Sequence, residues 1–125
     1  MRPAESSAIA SPAPSPEEEL AALRAQFKLR LTAERARVGV LTGMLSGTVL
    51  DFALVFGDIS MFAHRLRGAA LVFEFLEIGN AAKELELATA LTVPEDQLPA
   101  HRATVLGLLQ DLFVKLTEAT AEGGA

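Results

Sequence analysis

With no cysteine among its 125 residues, the chain has no disulfide, thiolate nucleophile or thiolate metal ligand, and its imidazoles are two, His64 and His101. Residues 51 to 73 contain no proline, and Phe52, Val55, Phe56, Ile59, Phe62, Leu66 and Phe73 recur at the three-and-four spacing of a helix stripe that faces a core. His64 falls off that stripe. Its neighbours one turn away on the same helix face are Ser60, Met61, Arg67 and Gly68. An imidazole is available unprotonated near neutral pH and can act as a nucleophile. Arg67 adds a fixed positive charge with several donors, suited to the oxygens of a phosphoryl group. A glycine inside a helix costs roughly 1 kcal/mol relative to alanine, so Gly68 needs a reason, and leaving the turn beside the ring bare is one. The set predicts a nucleophilic histidine, an anion-holding arginine and a gap through which a large partner reaches the ring.

The heptapeptide His64-Arg65-Leu66-Arg67-Gly68-Ala69-Ala70 closely resembles the H-x-L-K/R-G-S/A-A signature of histidine phosphotransfer (HPt) domains, the phosphocarriers of bacterial multistep phosphorelays. Phe73-Glu74-Phe75 is similar to the F-G-F segment that follows the histidine in many HPt and chemotaxis-kinase phosphotransfer domains, and Ile78, Leu85 and Glu86 match later apolar and L-E positions. Glu74 stands where those domains usually have glycine, a departure expected to weaken the helix break there and to alter one side of the docking surface.

The resemblance implies an all-α, up-down antiparallel four-helix bundle with an additional N-terminal helix. It also implies that His64 is the phosphoacceptor, that Arg67 steadies the phosphoryl group and that Gly68 gives access. Glu86 then orients the ring, with Glu84 as the fallback, and Arg65 lies on an exposed rim. The implied partners are response-regulator receiver domains and a sensor or hybrid histidine kinase. The protein itself would bind no cofactor and no metal, Mg²⁺ belonging to the receiver. No ATP-binding motif is present in the sequence, so the expected activity is that of a carrier and not of an autonomous enzyme.

Composition agrees with one helical domain: 50% of residues are hydrophobic, Ala, Leu and Glu dominate, and there is no Trp or Tyr. A net charge of −5 and a pI near 5.0 argue against nucleic acid as a partner. The absence of cysteine is compatible with a reducing, cytoplasmic setting. His101 has no histidine or carboxylate at metal-ligand spacing and is expected on the surface. H-x-x-x-H, Gly-rich phosphate-loop and G-x-S-x-G patterns are all missing.

Residues 1–14, rich in Ser, Ala and Pro, read as a disordered leader, 15–120 as the bundle and 121–125 as a flexible tail. Ser15, Pro16 and Glu18 have the spacing of a capping box with proline at the first helical position. Leu20, Leu23, Phe27 and Leu31 make an inner stripe, and Thr32 divides Glu17–Leu31 from Ala33–Leu45 as two helices or one kinked one. Residues 38–57 are almost wholly apolar. Their length would suit a membrane helix, but Thr42, Ser46, Gly47 and Thr48 favour a two-helix hairpin with a fresh start at Thr48. Gly39, Gly43 and Gly47, four apart, form a strip for close helix approach, either within the monomer or in a homodimer through 38–57. Ile78, Ala81, Ala82 and Leu85 should face inward from a helix over 77–89, with Lys83 and Glu84 outward. A proline-marked connection at 92–99 precedes a last helix carrying Val105, Leu109, Leu112, Phe113 and Leu116 inward. The rival functional reading is a non-catalytic dimerisation or adaptor protein that keeps the bundle and leaves His64 idle.

Overall fold

The structure is a computed structural model and describes residues 15–47 and 51–124. The leader assigned to residues 1–14 and the helix start assigned to Thr48 lie outside the described residues. Among the latter, all regular structure is helical: α1 (Pro16–Ser46), α2 (Phe52–Val72), α3 (Leu76–Ala90), a 3₁₀ turn (Glu95–Gln97) and α4 (Leu98–Gly124).

α1 starts where the capping box places it. The Ser15 Oγ accepts from the Glu18 backbone N–H at 3.1 Å, and the Ser15 N–H donates to the Glu18 carboxylate at 2.9 Å. The Ser15 N–H on the carboxylate, and after it the Ser15 hydroxyl, hold the Glu18 carboxyl below its ordinary pKa. The separate N-terminal helix expected over Glu17–Leu31 is not formed, because α1 runs unbroken for 31 residues. Thr32 caps nothing: neither proline nor glycine interrupts its surroundings, and Phe27, Leu31, Val38, Leu41 and Leu45 make one continuous buried seam through it. Leu20 and Leu23, expected inside, are exposed, since the first turns of α1 carry them past the end of the core.

α2 is capped by Asp51, whose side chain accepts from the Leu54 N–H at 3.1 Å. Val55, Phe56, Ile59, Phe62 and Leu66 are buried as their spacing requires. α3 then doubles back along α2. Ile78, Ala81, Ala82 and Leu85 are buried, and a Cβ on Gly79 would come within 3.6 Å of the Ala70 Cβ. Small side chains at Ala63, Ala70, Gly79 and Ala82 let these two helices close on each other. α4 packs along α1 and α3 through Val105, Leu109, Leu112 and Leu116, each fully buried. Phe113, expected inside, lies 40% exposed beside Arg35. The helix continues to Gly124, so the tail expected from Ala121 is helical up to that point.

The α2–α3 corner departs most clearly from expectation. α2 ends although Glu74 replaces glycine, and Glu74 takes the left-handed conformation with φ 65°. The Phe75 N–H donates to the Ala70 carbonyl at 2.8 Å and the Glu74 N–H to the Leu71 carbonyl at 3.3 Å, the pairing of a Schellman cap. Phe73 and Phe75 both pack on Phe27, with centroids 5.1 and 5.2 Å away. That aromatic anchorage holds the corner against the roughly 1 kcal/mol that a left-handed non-glycine residue costs.

Candidate functional site

His64 sits in the fourth turn of α2, on the side turned away from the Phe56–Ile59–Phe62–Leu66 stripe, and its side chain is 65% exposed. Across the tight α2–α3 contact, Glu86 on α3 reaches it. The His64 Nδ1 and Glu86 Oε2 are 2.8 Å apart. With the carboxylate accepting, Nδ1 carries the proton and the lone pair lies on Nε2, at the outer edge of the ring. A second contact completes the group: the Arg67 Nη1 stands 3.3 Å from the other oxygen of Glu86. This is an ion pair without hydrogen-bond alignment, since Glu86 Oε1 is shielded and has no hydrogen-bond partner among the described residues. One half-buried carboxylate therefore bridges the imidazole and a guanidinium that lies one turn along the same helix.

His64, Arg67 and Glu86 are brought together, whereas Glu84 and Arg65 are exposed and belong to none of these contacts. Arg67, expected to hold an incoming anion, stands here against Glu86 through Nη1 alone, and a guanidinium has further N–H donors. The Arg67–Glu86 pair escapes a reading of the sequence, because i and i+19 positions on different helices share no local periodicity. Gly68 is exposed, and a Cβ built there would meet nothing within 4 Å. Close helix packing is thus not why glycine stands at this position. The Gly39 and Gly43 positions are likewise open, so the packing within the monomer expected for that strip is absent there.

His101 departs from its expected surface position. It is half-buried in the first turn of α4, stacked edge-on against Phe56 at 5.3 Å, and its Nε2 is shielded without a hydrogen-bond partner among the described residues. Its neighbour Arg102 makes a contact that sequence reasoning missed. The Arg102 Nε donates to the Leu45 carbonyl at 2.6 Å and its Nη2 to the Gly47 carbonyl at 2.9 Å, closing the C-terminal end of α1 from 55 residues away and more. A cation belongs at that negative end of the helix dipole.

No group of three or more histidine or acidic side chains among the described residues could hold a metal ion, and no helix among them is long and apolar enough to cross a membrane. No family model matches the chain, and neither a curated protein nor a solved structure shows detectable similarity to it.

Proposed function

We propose that this protein is a histidine-containing phosphocarrier of the HPt type, exchanging a phosphoryl group between His64 and the aspartate of receiver domains. The observation that carries the reading is the 2.8 Å contact between the His64 Nδ1 and Glu86 on an otherwise exposed ring. It leaves Nε2 as an outward-facing nucleophile of defined tautomer, and it falls on the histidine that the sequence signature marks. In this reading the four helices form an up-down antiparallel bundle with the acceptor on its second helix. The chain acts in the cytoplasm, where a sensor or hybrid histidine kinase supplies the relay.

Transfer proceeds by attack of the Nε2 lone pair on the phosphorus of an aspartyl phosphate. The N–P bond forms as the P–O bond to the aspartyl carboxylate breaks, and the electron pair of that bond leaves with the carboxylate. The ring becomes cationic, and Glu86, already at Nδ1–H, stabilises that charge. Arg67 keeps donors for the phosphoryl oxygens while its Nη1 stays on Glu86. Gly68 leaves the flank of the ring low enough for a receiver to seat over it. The receiver brings the Mg²⁺, and the carrier contributes position and charge. Reversal of the same step passes the group onward.

The test is phosphoryl transfer from phosphorylated receiver domains to the wild-type chain and to His64→Gln. Acid-labile, alkali-stable label on the wild type and none on the variant is the expected result. A folded wild type that takes no label from any donor would return the protein to the adaptor reading.

A further inference from the structure

α1 presents two opposite apolar faces, and the fold covers only one. The inner seam from Phe27 to Leu45 is buried. On the outer side Ala22, Ala25, Leu29, Ala33 and Ala36 are all exposed, and Leu29, at 79%, is the most exposed large apolar side chain among the described residues. Steps of three, four, four and three residues keep these five on one stripe. Beside the stripe runs a row of longer polar side chains, Glu19, Gln26, Arg30 and Arg37, also exposed. Their steps of seven, four and seven residues place them within a narrow angular band of the helix.

That row reads the same from either end about residue 28, but its charge does not: it is acidic at the N-terminal end and basic at the C-terminal end. We propose that the outer face of α1 binds a second copy of this chain, antiparallel, across a two-fold axis near residues 28–29. The arrangement puts Glu19 opposite Arg37 of the second copy and Gln26 opposite its Arg30, each pairing occurring twice. Leu29 then lies at the axis against its own counterpart, and the alanines allow the helices to approach to about 8 Å. Neither Glu19 nor Arg37 forms an ion pair with another described residue of its own chain. A parallel copy related by a two-fold along the helices would put the two rows on opposite flanks of the contact, where Glu19 and Arg37 could not meet. The acids of the first turn, Glu17, Glu18 and Glu19, add to the same polarity, and antiparallel dipoles favour it as well.

The overlap from residue 19 to residue 37 is about 28 Å of helix, which is short for a standard interface, so association is reversible with a dissociation constant on the order of micromolar. It shifts the dimer surface from the 38–57 region to 19–37. α1 contributes none of His64, Arg67 or Glu86, so both sites stay open whatever their function.

Sedimentation equilibrium of the full chain from about 1 μM to 1 mM tests this range, with far-UV circular dichroism and thermal unfolding as controls for fold. We expect a monomer–dimer equilibrium that Leu29→Glu abolishes. Glu19→Lys and Arg37→Glu should each weaken it by about tenfold, two rim pairs being lost per dimer, and the double variant should restore it. A wild type that is monomeric throughout overturns the proposal. So does a Leu29→Glu protein that dimerises normally, or a double variant no better than either single one.

Discussion

The faces around His64 and around His101 put the same side chain into opposite surroundings. His64 projects from a helix flank, has a carboxylate on Nδ1 and turns Nε2 to solvent. His101 lies edge-on against Phe56 with Nε2 shielded, and the charge beside it, Arg102, is committed to two backbone carbonyls at the C-terminal end of α1. The first region joins ionisable groups and leaves one nitrogen of an exposed ring outside their contacts. The second uses its polar atoms to tie α4 to α1. A histidine in a helical protein is thus assigned by what occupies its other nitrogen and by whether the free one can be reached.

Four variants would break or sharpen that contrast. Glu86→Ala should slow phosphoryl transfer by roughly 10- to 100-fold, the range for removing a carboxylate that orients a histidine ligand, while His101→Asn leaves the rate unchanged. Rapid-quench transfer kinetics would show it, and equal rates for wild type and Glu86→Ala would strip Glu86 of its orienting role. Arg102→Ala should act in reverse. It leaves two helix-end carbonyls without a charged donor and should lower stability by about 2 kcal/mol, seen as a reduced urea midpoint with an unchanged slope. Smallest is Glu74→Gly at the α2–α3 corner below the site. Relief of the left-handed strain, partly offset by the greater freedom of glycine in the unfolded chain, should raise stability by about 0.5 kcal/mol. A loss of stability there would mean that the glutamate makes a contact worth more than the strain.

Local structure was set down in the sequence almost in full. The Ser15 capping box, the Phe52-to-Leu66 stripe, the inward face of α3 and the exposure of His64 each depend on residues within a turn or two of one another. The misjudged features have a common origin. A second helix over Glu17–Leu31 was expected because Thr32 has the chemistry of a cap, but one long seam through Leu31 and Val38 outweighs a single threonine. Leu20 and Leu23 have the right period, yet periodicity tells which way a side chain points and not whether anything stands opposite. Glu74 was expected to blunt a break that the Phe27–Phe73–Phe75 cluster enforces from another helix.

By itself, then, the sequence determined where helices start, which faces turn inward and that His64 stands off the buried stripe, because capping and periodicity act over one or two turns, whereas the burial of His101 came from Phe56 on another helix. Only the tertiary structure decided that Glu86 rather than Glu84 meets His64, that Arg67 shares that carboxylate, and that Arg102 closes α1. Such pairings depend on the relative height and rotation of helices, and those follow from how small residues such as Ala70 and Gly79 settle against one another across the α2–α3 seam.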